Sequence, residues 1–226
     1  MNAEDVMDQL ACRLGVNSEE PNIALAIALC DTKDSSAISK IVDGLQSRDT
    51  AVANGCIKVL YEIGYRCPEV VSEYTSQFLR LLHSKNNRLV WGGMIALAQT
   101  AHLNPTVVFD HREEVIQAYR EGSVITRDAS ISVFAALSHA DRRYEEVMFP
   151  LILEHLRTCR PKEVAQHAER AAVSVNSSNA LSFLSVLENR RESLTPPQLK
   201  RVDKLIRESR RKTQSSGTVC VERDKI

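Results

Sequence analysis

The sequence is poor in aromatic residues and has no excess of either charge. Phe, Trp and Tyr make up 5% of its 226 residues, with a single Trp, and 29 Lys and Arg are balanced by 29 Asp and Glu. A strongly basic balance, the usual footprint of a nucleic-acid binder, is missing; neutrality still permits a local basic ridge. No apolar run approaches the roughly 20 residues that span a bilayer. The opening MNAEDVMDQL is acidic and polar, not a basic segment followed by an apolar one, so no signal peptide is expected. Cys12, Cys30, Cys56, Cys67, Cys159 and Cys220 form no CxxC pair and no His/Cys cluster with zinc spacing. They read as small buried hydrophobes in a reducing compartment, and the chain as a soluble cytoplasmic protein without membrane association.

What the chain does have is a repeated helical register. Asp49 to Gly64, DTAVANGCIKVLYEIG, reads as the second helix of a hairpin, and its apolar positions return every 37 residues. Ile57, Met94, Ile131 and Ala168 fall on one column; Leu60, Leu97, Phe134 and Ala171 fall on another. First helices follow the same interval, with Ile41, Phe78, Val115 and Ile152 on one column and Leu45, Leu82, Tyr119 and Leu156 on the next. A hairpin of this length cannot bury its apolar face alone, but stacked copies can. Breakers fall between the helices: Arg48-Asp49, Lys85-Asn86-Asn87, Gly122-Ser123 and Arg160-Pro161 within hairpins, and Cys67-Pro68, Asn104-Pro105 and Asp141-Arg142 between them.

The ends depart from this spacing. Asn2 to Leu14 reads as a helix capped by Asn2, with Glu4 and Asp5 at its positive end and Gly15 closing it. Ser18 to Pro21 reads as the start of a second helix through Ile23 to Cys30. After Asn176-Ser177-Ser178-Asn179, a helix from Ala180 and another from Thr195-Pro196-Pro197 carry many basic residues. The expectation is an all-α protein, an α-α superhelix (a right-handed solenoid) of about six hairpins. It forms one domain over residues 1–212: a capping hairpin at 1–33, four regular repeats at 34–175 and a capping hairpin at 176–212. A mobile tail is expected at 213–226.

Over about residues 35 to 175 this pattern resembles the HEAT-repeat family, itself close to armadillo repeats. The resemblance rests on hairpin length, Asp49 and Asn86 in the intra-repeat turns, and an apolar second helix. Arg127 matches the family's basic residue early in the second helix; Ala53, Val90 and Val164 stand at the equivalent places. The first helices are expected to lack the internal Pro common in that family. The resemblance implies second helices lining a concave face and use as a binding scaffold.

On such a face Asn54, Trp91, Asp128 and Ala165 would form one row, Lys58, Ile95, Ser132 and Glu169 the next, and Glu62, Gln99, Ala136 and Val173 a third. Trp91 offers a flat apolar surface, and Gly92-Gly93 beside it signals tight packing. Arg48, Lys85, Arg88, Arg127, Arg157, Arg160 and Lys162 form a basic ridge at the turns, where cations also offset helix dipoles. The binding set is therefore Asn54, Lys58, Arg88, Trp91, Gln99, Arg127 and Asp128. His83, His102, His111, His139, His155 and His167 are scattered, none followed by Glu. The His-Glu pairs of the iron-binding HEAT hydroxylases are thus missing, as are HExxH, a phosphate loop and a serine elbow. No catalytic residue, metal or cofactor is expected. The reading is a non-enzymatic scaffold holding a protein or peptide segment. A nucleic-acid-binding protein or alkyl-base DNA glycosylase, with Trp91 and Asp128 as its aromatic and carboxylate, ranks second, and a HEAT-like chromophore lyase third.

Overall fold

The computed structural model describes residues 6–214, and every regular element in them is helical. The chain divides into two compact units, Met1–Val133 and Phe134–Ile226.

In the first unit a 3-10 turn, Met7–Gln9, precedes α1 (Glu20–Thr32). Then come α2 (Ser35–Asp43) with a 3-10 extension to Gln46, and α3 (Thr50–Arg66). Two 3-10 turns (Pro68–Val70, Ser72–Tyr74) and α4 (Thr75–Leu81) form the next first helix, followed by α5 (Asn87–Thr100). After them come α6 (Pro105–Asp110), α7 (Arg112–Glu121) and α8 (Val124–Ala140), within which the division between units falls. The second unit continues with α9 (Arg142–Thr158), α10 (Pro161–Ala171), α11 (Ala180–Arg190) and α12 (Pro196–Gln214).

Helices start where the turn residues dictate. Asp34, Asp49, Asn86 and Asp141 each accept a hydrogen bond from a backbone N–H in the first turn of α2, α3, α5 and α9, at 3.0, 2.9, 3.0 and 2.7 Å. Such caps satisfy donors that a helix start otherwise leaves unpaired. Pro105 and Pro161 open α6 and α10, where a missing N–H costs nothing.

Helices of like type lie together. In the first unit α3 packs on α1 and on α5; in the second α9 packs on α11 and α10 on α12. This seals the apolar columns. Ile57, Met94, Ile131, Ala168, Leu60, Leu97, Phe134 and Ala171 are all 0% exposed. The first-helix columns are buried as well, except Tyr119, which is half-buried. α3 and α5 approach so closely at Gly92 that an added Cβ would stand 2.6 Å from Ile57 Cγ1. On the other side of α5, a Cβ at Gly93 would meet Leu81 and the Phe78 carbonyl at 3.0 Å.

Three expectations are corrected. Residues 6–14 do not form the expected helix: beyond the 3-10 turn they are bends and turns, with Ala11 N–H tied to Asn22 Oδ1 at 3.0 Å. That side chain replaces helical bonding at the turn. Gly15 does adopt the left-handed φ of 68°, but Asn2, Glu4 and Asp5 lie outside the described residues. The first helices are not free of Pro, since Pro150 sits inside α9. The cysteines are not all reduced hydrophobes: Cys30 and Cys67 are joined by a disulfide, with Cα atoms 6.2 Å apart. Their separation is 37 residues, one repeat length, so the bond ties the exit of α1 to the exit of α3. The expected tail lies outside the described residues, apart from the end of α12.

Both the crosslink and the close helix approach can be tested by unfolding. Cys30→Ser/Cys67→Ser, or reduction of the wild type, should lower unfolding stability by up to about 4 kcal/mol, the loop entropy of a crosslink this long, read from urea midpoints with and without reductant. Gly92→Ala should cost about 1–3 kcal/mol through overpacking against Ile57, seen as a lower midpoint at unchanged helicity.

Candidate functional site

One face of α3 carries Lys58, Tyr61, Glu62 and Tyr65, residues spaced to share a side of a helix. The neighbouring α5 presents Arg88 and Trp91 toward it. The Tyr61 and Trp91 ring centroids are 5.9 Å apart, and Tyr61 and Tyr65 meet edge-on at 6.1 Å. Lys58 Nζ lies 4.8 Å from the Tyr61 ring centre and the Arg88 guanidinium 5.4 Å from that of Trp91. Two cations thus cap two aromatic faces, an arrangement that holds flat side chains in place. Trp91 is half-buried, and Tyr65 is 55% exposed.

The cations are also paired. Lys58 donates to Glu62 at 2.7 Å, Arg66 donates to the same carboxylate at 2.5 Å, and Arg88 is bonded to Glu19, just before α1. Glu19 is held in turn by Asn22 at 2.9 Å. Burial pushes the Glu62 carboxyl up, but the Lys58 and Arg66 hydrogen bonds outweigh it and leave the pKa below the ordinary value. The Glu19 carboxyl behaves likewise, with burial opposed by Asn22 and Arg88. Burial pushes the Tyr61 phenol up, offset in part by Lys58. Beside this ladder opens a cavity of about 310 Å³, bounded by Cys12, Ser18, Glu19, Asn22, Asn54 and Arg88 among others.

Of the seven residues singled out in the sequence, Asn54, Lys58, Arg88 and Trp91 belong to this neighbourhood. Asn54 accepts from Asn86 Nδ2 at 2.8 Å and lines the cavity. Gln99 lies along α5 against Gly64 of α3. Arg127 donates to the Arg120 carbonyl at 3.2 Å, closing its own hairpin. Asp128 sits half-buried on α8. The structure brings Tyr61 and Arg88 to the Trp91 ring. Tyr61, Tyr65 and Glu19 escaped the sequence reading. The spacing of Lys58, Tyr61 and Tyr65 was the available signal for the tyrosines; Glu19 reaches the site only through the fold. The basic ridge is largely occupied locally: Arg157 faces Glu154 at 3.5 Å and Arg160 is bonded to Glu163.

Two histidine clusters emerge that the sequence does not show. His83 and His111 both bond Glu114, each at 2.8 Å, beside a second cavity of about 440 Å³ in the first unit. In the second unit His155, Cys159 and His167 bring ligand-capable atoms within 4.8 Å of one another.

The lowered Glu62 pKa fixes the sign of a pH effect. A carboxyl with its folded pKa below the unfolded one contributes stability that is complete above the unfolded value, about 4.3, and is lost as pH falls through the folded value. Glu62→Gln should cost about 1–2 kcal/mol at pH 7, and the cost should shrink as pH falls below about 4.3, as read from denaturation midpoints.

No protein-family model matches the chain, and no characterised protein matches it in sequence. Solved structures do. A designed armadillo repeat protein in complex with the peptide (KR)4 aligns with a TM-score of 0.66 at 11% identity, over 92% of this chain and 99% of that one. An engineered protein from the Northeast Structural Genomics Consortium aligns with a TM-score of 0.62 at 15% identity, over 93% and 98%. Another designed armadillo repeat protein gives 0.61 at 11%, over 92% and 99%. At such identities the likeness is one of fold, and the fold is that of an all-α repeat solenoid of armadillo/HEAT type.

Proposed function

We propose that the chain is a non-enzymatic interaction scaffold that holds an extended protein segment on the second-helix face of its first unit. The observation that carries this is the exposed Tyr65 and half-buried Trp91, both braced by the buried Tyr61 ring, with Lys58 and Arg88 fixed over the aromatic rings by carboxylates. Preorganised aromatic and Arg side chains of this kind dominate the energetics of many protein interfaces. The partner suited to it carries an apolar or aromatic anchor for the accessible sides of Tyr65 and Trp91 and a polar side chain for the cavity beside Arg88. One structural neighbour, a designed armadillo repeat protein, is itself in complex with a peptide.

The charge state favours a peptide over a nucleic acid. Phosphate binding needs cations free to replace counterions, whereas Lys58 and Arg88 each already face a carboxylate. No helix among the described residues is long and apolar enough to cross a membrane. The Cys30–Cys67 disulfide favours an oxidising setting over the cytoplasm expected from the sequence.

Trp91 is the only Trp, so its emission reports this surface alone. A partner segment identified by pull-down should shift that emission in wild type, and Tyr65→Ala or Trp91→Ala should weaken its binding by about 30-fold, the loss of one interface anchor of about 2 kcal/mol. A partner list unchanged in Trp91→Ala would remove this surface from the site. Salt-dependent binding of double-stranded DNA, lost in Arg88→Ala/Arg127→Ala, would favour the nucleic-acid reading instead.

A further inference from the structure

The last turn of α9 and the middle of α10 meet at an unusual cluster. His155 and Cys159 are four residues apart, so they project from one side of α9 a turn apart. His167 faces them from α10. His155 Nε2 and His167 Nδ1 are 2.7 Å apart and share one hydrogen bond, with ring centroids at 4.7 Å. The imidazoles are 7% and 3% exposed, and Cys159 is half-buried. All three ligand-capable atoms fall within 4.8 Å of one another.

We propose that His155, Cys159 and His167 form a binding site for a zinc-class divalent ion that staples α9 to α10. Two imidazole nitrogens and one thiolate are a donor set this class prefers, and three protein ligands leave a fourth tetrahedral position for water or a carboxylate. At zinc bond lengths, tetrahedral donors stand about 3.3–3.7 Å apart. The ion therefore takes the place of the shared proton while the two rings part by less than about 1 Å.

The surroundings hold this geometry. Arg190 of α11 donates to the carbonyls of Leu156, Arg157 and Cys159 at 2.7, 2.6 and 2.7 Å. It fixes the end of α9 where the thiol sits, the support that a ligand set requires. Glu163 lies one turn before His167 on the same side of α10, the carboxylate that could fill the open position. It is bonded to Arg160, which it would have to leave in order to coordinate.

The test is titration of the reduced full-length chain with Co2+ and Zn2+. One equivalent of Co2+ should produce tetrahedral d–d absorption with a thiolate charge-transfer band, and Zn2+ should displace it. Cys159→Ser should abolish the charge-transfer band, and His167→Gln should lower Zn2+ affinity by at least about 100-fold. Zn2+ should raise the unfolding temperature of wild type and not of these variants. His83→Ala/His111→Ala removes the exposed histidine pair and should leave the spectrum intact. Should His167→Gln not fold, Cys159→Ser, half-buried and close in size, carries the test. Absence of a tetrahedral cobalt spectrum, its survival in Cys159→Ser, or its loss only in His83→Ala/His111→Ala would overturn the proposal.

Discussion

A helical hairpin of this length leaves one apolar side without cover, and only a second hairpin in matching register can supply it. The interval between copies therefore cannot drift. If the 37-residue return slipped by one position, Ile57 or Met94 would rotate by about 100° around its helix, out of the seam. The contact between α3 and α5 shows how little room remains: a Cβ at Gly92 would stand 2.6 Å from Ile57 Cγ1. Most seam positions are filled by Ala, Leu, Ile and Val, with Phe78 and Phe134, both fully buried, among the aromatic members of the columns.

With the apolar sides committed to stacking, the polar side of the second helices is the face on which the proposed recognition would rest. There the side chains organise one another. Glu62 takes both Lys58 and Arg66, and Glu19 takes Arg88. The Lys58–Glu62 pair is largely shielded from solvent, and the Arg88–Glu19 pair is more open and contributes less to stability. Their effect is positional: they hold cations over the Tyr61 and Trp91 rings, so less side-chain freedom remains to be lost on binding. In the proposed scaffold, the acids Glu62 and Glu19 thus serve to hold bases still.

Much of the fold was legible because burial and period are local. The columns through Ile57 and Leu60 could be counted along the chain, and the caps at Asp49 and Asn86 sit beside the helices they start. What stayed hidden depends on contacts between distant segments. Cys30 and Cys67 look like unrelated hydrophobes until α1 lies beside α3. Residues 6–14 have helical spacing, but Asn22 competes for the Ala11 N–H and turns win. For the site, Trp91 and its neighbours Lys58 and Arg88 could be placed on one face. Glu19 could not, since its bond to Arg88 spans 69 residues. The triad of His155, Cys159 and His167 was missed for a related reason: two members share a helix, but the third reaches them only after the turn at Arg160-Pro161.

That cluster also lies where the apolar columns thin. Ile57 and Leu60 of α3 correspond to Ala168 and Ala171 of α10, each shorter by three carbons, or about 2 kcal/mol less burial apiece. A helix with so small an apolar side is weakly held by packing alone, and α10 is also short, at 11 residues. Its buried side adds Val164, Ala165 and His167, and His167 is the one residue there able to form a directional bond across the hairpin. It does so with His155, itself buried, where an unmet ring nitrogen carries a desolvation cost. The polar contact thus sits where hydrophobic volume has been given up, and adds a directional bond to the burial of Val164, Ala165, Ala168 and Ala171.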